Sequence, residues 1–172
     1  MLTHLARNAD AHRRRIEGAL AGRSVPQYAG GLAERNAEIE EGARRPLDEL
    51  VADVQAASAA LDRAWPADPD DPAWAVRSRD LSGIERTIGE LPLRRWQEVE
   101  VHLVDLDIGV RPNDWPVAFV GEVLPRMRAD VALRLPAGVQ LPDPVPCPEA
   151  EELAWLFGRM AVPGLPVLGP WT

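Results

Sequence analysis

The sequence predicts an all-α fold: a helical bundle followed by a short proline-rich C-terminal module. Three observations carry that expectation. Apolar residues recur at the spacing of a helix face through most of the chain, with Gly22, Pro66 and Gly109 standing where periodic runs stop. Strand-like alternation is weak throughout. From Pro136 to Pro148 five prolines fall within thirteen residues, a density that favours extended, polyproline-like chain. The expected division is 1–116 for the helical domain and 117–172 for the C-terminal module, and no internal repeat is visible.

The elements follow in order. A first helix is expected from Leu2 to Ala21, with Leu2, Leu5, Ala9, Ile16 and Leu20 on one face and Gly22 as its stop. His4 and Asn8 flank that face, and Arg13-Arg14-Arg15 reads as a solvated patch. Tyr28, the only tyrosine, sits in a loop through Pro26, Gly30 and Gly31 and reads as a packed loop aromatic. A second helical region begins near Leu32 and is interrupted around Gly42 and Pro46. After Pro46, positions Leu47, Leu50, Val51, Val54, Leu61 and Trp65 give the clearest amphipathic pattern in the chain. Pro66 and the run Asp68-Pro69-Asp70-Asp71-Pro72 end it in a loop. Residues 74–90, with Arg77, Arg79 and Arg86, are ambiguous between extended chain and loop. Pro92 opens the next helix, which Gly109 closes. The turn Arg111-Pro112-Asn113-Asp114 then leads into a helix over about 115–133, with Asp114 as N-cap and Pro116 in its first turn. A final helix from Glu149 to Met160 buries Leu153, Leu156 and Phe157. The tail, Pro163 to Thr172, carries three prolines and Trp171.

Composition narrows the function. A hydrophobic fraction of 46% and a charged fraction of 27% over 172 residues suit a soluble globular chain able to bury a core. Net charge is −8 with the acidic residues dispersed, which argues against nucleic acid as a partner. No apolar run approaches a membrane span, and the first residues show no secretory signal, so a cytoplasmic location is expected. The single cysteine, Cys147, excludes an intramolecular disulfide framework. All 19 basic residues are arginine, a usage that points to GC-rich coding and an actinobacterial source.

The densest chemistry lies in Arg95-Trp96-Gln97-Glu98-Val99-Glu100-Val101-His102-Leu103-Val104-Asp105-Leu106. Residues at i and i+4 stack on a helix surface, so Glu98 and His102 can reach one cation together. At roughly 100° per residue, Glu98, His102 and Asp105 fall within about 60° of arc, beside an apolar strip of Trp96, Val99, Leu103 and Leu106. The same spacing also describes a surface pair or a hydrogen-bonded core histidine. His4, on another helix, would complete a two-histidine, one-carboxylate set with an open position, the arrangement a catalytic metal needs.

Two segments resemble the signature blocks of the mycothiol-dependent maleylpyruvate isomerase family. They are Leu2-Thr3-His4-Leu5-Ala6-Arg7-Asn8-Ala9-Asp10 and the Arg95–Leu106 stretch. Asn113-Asp114-Trp115-Pro116 and Leu153-Ala154-Trp155-Leu156-Phe157-Gly158-Arg159 resemble later family segments. The resemblance implies a DinB-like four-helix bundle holding a divalent metal, usually zinc, on His4, Glu98 and His102. It implies cis–trans isomerisation of maleylpyruvate to fumarylpyruvate with mycothiol as the thiol cofactor. The metal would deprotonate the thiol; reversible addition would turn the substrate's double bond into a rotatable single bond. The expected partners are thus a small-molecule substrate and the thiol.

Arg159 matches a C-terminal arginine that the family places near its active site, and is the expected catalytic residue toward the substrate's carboxylates. Arg77 and Arg79 are weaker candidates for that role. Asn8 and Asp105 are candidate hydrogen-bond partners of the histidines, and Cys147 is expected to be a bystander. A mycothiol S-transferase is the alternative within the family, and a non-catalytic, metal-stabilised DinB-like protein the alternative outside enzymology. Two departures are also expected. The chain starts inside the first block, so the helix that precedes it in the family is lacking here, with Met1 standing where an internal valine codon is common. The C-terminal module is shortened and proline-rich between Leu135 and Glu149 where the family has strands.

Overall fold

The computed structural model describes residues 1–170; Trp171, noted above in the tail, lies outside the described residues. Six α-helices lie among them: α1 (Leu2–Leu20), α2 (Gly31–Gly42), α3 (Leu47–Ala64), α4 (Leu91–Asp105), α5 (Val117–Asp130) and α6 (Glu149–Leu156). The ambiguous stretch resolves into a 3₁₀ turn at Pro72–Ala75 and a hairpin of β1 (Arg77–Arg79) and β2 (Glu85–Thr87). The hairpin is antiparallel, with Arg77 opposite Thr87 and Arg79 opposite Glu85. Among the described residues no helix is long and apolar enough to cross a membrane.

The chain divides into two compact units, 1–99 and 100–172, and the boundary falls inside the continuous helix α4. In the first unit α1 packs chiefly on α3 and also meets α2 and β1. Ala6, Ala9 and Ile16 of α1 form one core with Ala57 and Leu61 of α3, Ile88 and Leu91. Alanine on the facing side of α1 lets α3 approach closely, and Leu61 fills the space with 2% of its surface left exposed. Trp65 and Trp74 stack across the end of α3, ring centroids 6.1 Å apart. Asp53 accepts from Arg7 at 2.8 Å and also from Arg45, tying α3 to α1.

Gly22 and Gly42 each answer a specific steric demand. Gly22 takes φ 66 just beyond α1, and Arg23 N–H reaches back to the Gly18 carbonyl at 2.8 Å, a left-handed helix stop. Gly42 ends α2 against Thr3: a Cβ there would lie 2.4 Å from the Thr3 methyl. The close approach seats α2 on the first turn of α1, beside His4.

In the second unit α5 packs on α6. Phe119, Val123 and Leu124 of α5 are buried, as are Leu153, Trp155 and Leu156 of α6 and Phe157 just beyond it. Trp115 meets Phe119 and Phe157 edge-on, with centroids at 5.5 and 6.1 Å, while its indole N–H donates to the Glu100 carbonyl at 3.1 Å. That pairing satisfies the one polar atom of a ring only 4% exposed.

Several expected boundaries shift. Helix α4 stops at Asp105, not Gly109, because Asp107 adopts a left-handed conformation (φ 52) after the Leu106 and Asp107 amides close the last turn. Asp114 is not the N-cap of α5. It sits in a 3₁₀ turn (Pro112–Asp114) with its carboxylate accepting from Arg111 N–H at 2.8 Å, and Pro116 takes the cap position. Helix α6 ends at Leu156, with Gly158 at φ 71 turning the chain away. Arg13-Arg14-Arg15 is not a solvated patch throughout, since Arg15 is 2% exposed on the inward face of α1.

Candidate metal centre

Helix pitch places the first two donors. Glu98 and His102 stand one turn apart on α4, and His4 stands on the first turn of α1. One ligand atom from each of His4, Glu98 and His102 lies within 4.8 Å of the others, with His102 buried and the other two half-buried. His4 Nε2 is 2.9 Å from Glu98 Oε2. Two imidazoles and a carboxylate this close suit a divalent ion with zinc-like preferences.

The partners behind the donors differ. His102 Nδ1 donates to Asp105 Oδ2 at 2.8 Å, one turn along α4. This leaves Nε2 as the atom with a lone pair, which is how a carboxylate commonly orients a metal-binding imidazole. Arg159 grips the same carboxylate with both arms of its fork, Nε to Oδ1 at 3.0 Å and Nη2 to Oδ2 at 2.7 Å, and donates Nη1 to the Phe157 carbonyl at 2.7 Å. Burial alone would raise the Asp105 carboxyl. The hydrogen bonds from Arg159 and His102 outweigh it and hold the group below the ordinary carboxylate range. The aspartate is therefore a fixed anion behind His102.

His4 is held differently. Arg35 of α2 donates Nη2 to His4 Nδ1 at 3.0 Å while lying 5.6 Å from the Tyr28 ring centroid. A guanidinium only donates, so Nδ1 accepts and the imidazole proton resides on Nε2, facing Glu98. An ion on Nε2 requires the opposite tautomer, and Arg35 then has to withdraw from Nδ1. A cavity of about 340 Å³ opens here, lined by Met1, His4, Arg35, Asn36, Ile39 and Glu40.

The remaining candidates lie elsewhere. Asn8 is 4% exposed; its side chain accepts from Arg95 at 2.9 Å and its carbonyl accepts from His12 Nδ1 at 2.9 Å. Arg77 and Arg79 line a different cavity, against the C-terminal half of α1. Cys147 is half-buried, and burial, then Glu152 and Glu151, push its thiol above its usual value, so it stays protonated at neutral pH. Arg35, Arg95 and His12 escaped the sequence reading. No spacing rule links Arg35 to a histidine 31 residues away on another helix.

No curated protein matches the chain. Two solved chains share its fold: the crystal structure of the mycothiol-dependent maleylpyruvate isomerase and that of a histidine-to-alanine mutant of it. Each is 23% identical with a TM-score of 0.83, covering 99% of this chain and 80% of that one. The model of the Mycothiol maleylpyruvate isomerase N-terminal domain matches residues 1–107. That match spans more than half of the chain, and the chain belongs to the mycothiol maleylpyruvate isomerase family.

Proposed function

We propose that the protein is a mycothiol-dependent, metal-assisted cis–trans isomerase of the maleylpyruvate type, with His4, Glu98 and His102 holding a zinc ion. The observation that carries this is the convergence of those three donors within 4.8 Å, joined to membership of the family. When bound, the metal supplies a Lewis acid that lowers the pKa of a thiol. The chain's own residues do the rest. Asp105 keeps the proton of His102 on Nδ1, and Arg159 fixes Asp105 in both charge and orientation. In the cavity beside His4, Arg35 provides the cation for a substrate carboxylate once it leaves Nδ1. Arg159 thus acts on the chemistry through Asp105 and His102. Residues 1–116 form the metal-binding domain in this proposal and 117–172 the C-terminal module that supplies Arg159. The partners are a small-molecule substrate and the thiol, and the location is cytoplasmic.

Elemental analysis tests the metal: purified protein is expected to carry about one divalent ion per chain and the His4→Ala/His102→Ala variant almost none. Equal metal content in the two would end the idea. The chemistry is tested by assaying maleylpyruvate with and without mycothiol in wild type and Cys147→Ser. Turnover should require the added thiol and survive the cysteine change. Turnover indifferent to mycothiol but abolished by Cys147→Ser would overturn the assignment.

A further inference from the structure

We propose that the cavity between the C-terminal half of α1 and strand β1 binds a small ligand through an oxyanion group, a phosphate or a carboxylate. Its volume is about 360 Å³, and Arg15, Arg23, Arg77 and Arg79 line it together with Ser24 and Ser78. The one carboxylate in its lining, Glu85, is held by Arg79 at 2.7 Å. None of Arg15, Arg23 and Arg77 has an ion-pair partner among the described residues. In a chain of net charge −8, three unmatched guanidiniums meet at one cavity.

Arg15 is the decisive group. It is 2% exposed, donates Nη2 to Ser78 Oγ at 3.1 Å, and its buried Nε has no acceptor. The charges around it do not neutralise it. Asp80 attracts it but is bonded to Arg86 at 3.1 Å; Glu90 takes the Thr87 amide at 2.7 Å; Arg86 and Arg94 repel it. A buried cation without a counter-charge is strongly unfavourable, and an oxyanion seated in the cavity against Arg23 and Arg77 supplies that charge. Arginine forks suit the planar or tetrahedral oxygens of carboxylate and phosphate. The volume exceeds that of a bare ion and matches a small metabolite. Arg15 follows His4 by eleven residues on one helix, about 16 Å at 1.5 Å per residue, so this site is separate from the candidate metal centre.

The test titrates full-length protein with inorganic phosphate and, separately, succinate at ionic strength matched with sodium chloride, reading calorimetry and thermal unfolding. At least one anion should bind saturably and raise Tm, and neutral phenanthroline should leave that response intact. A response to phosphate alone identifies a phosphoryl ligand, and a response to succinate identifies a carboxylate one. Arg23→Ala/Arg77→Ala, which removes no intramolecular ion pair, should keep the Tm in chloride and bind at least tenfold more weakly. Arg15→Met should raise Tm in chloride and abolish the response. No saturable response to either anion, or an undiminished one in the Arg23/Arg77 variant, would overturn the proposal.

Discussion

His12 makes the fold acid-sensitive in a way that can be worked out from its surroundings. It is 3% exposed on the inward face of α1, donates Nδ1–H to the Asn8 carbonyl at 2.9 Å, and its buried Nε2 has no partner. Burial lowers its pKa from 6.5 to about 4; the Asn8 carbonyl and Glu98 pull the other way, while Arg15 and Arg95 reinforce the drop. The folded chain therefore keeps His12 neutral where the unfolded chain protonates it. Stability is full above pH 6.5, falls as pH drops through 6.5, and levels off below about 4. The gap of about 2.5 pH units, at about 1.36 kcal/mol each, corresponds to about 3 kcal/mol. That is a large share of the roughly 5–15 kcal/mol that stabilises a typical domain. Urea unfolding of metal-free protein at pH 7.5 and pH 4 measures it, with His12→Met as the comparison. Every other group is common to both proteins and cancels in the difference. Wild type should lose about 3 kcal/mol more than the variant on acidification. Equal losses would show that His12 is already charged in the native state, and the burial argument would fail.

Two further outcomes concern the metal centre. Asp105→Asn removes the anion behind His102 and should weaken zinc binding ~10- to 100-fold in a competition titration with a chelating dye; unchanged affinity would mean that Asp105 does not orient the ligand. Arg35→Ala should do the reverse. Without the donor on His4 Nδ1, the metal-binding tautomer forms freely and zinc affinity should rise about fivefold, the worth of about 1 kcal/mol for one net hydrogen bond; a fall in affinity would show that Arg35 supports the loaded state.

Helix periodicity made the bundle readable before the structure. Leu5, Ala9 and Ile16, or Leu61 and the residues around it, are inward-facing because a stripe at 3.6-residue spacing has to be covered. Glu98 and His102 were readable for the same reason, since their proximity is a local property of one helix. His4 joins them in the sequence as a second histidine on another helix, and the family blocks point to the same three residues. The hairpin was not readable: strands of three residues, Arg77–Arg79 and Glu85–Thr87, are too short to show alternation, and they form because α1 offers a surface. Arg15 was misread because a triple arginine is normally solvated, and only the fold shows which one turns inward. Arg35 was invisible because its role depends on how closely Gly42 lets α2 approach Thr3.

The mounting of the three donors also decides where the centre can give. Glu98 and His102 are spaced by the pitch of α4, about 6 Å along its axis, and the backbone hydrogen bonds of a 15-residue helix keep that spacing stiff. His4 stands on the first turn of α1, where buried Thr3 is pressed against Gly42 of α2, so its position follows a contact between two helices. Two donors are thus fixed to one another by a single helix, and the third is set by how two other helices meet. Any change in that contact moves His4 and leaves the spacing of Glu98 and His102 as it is.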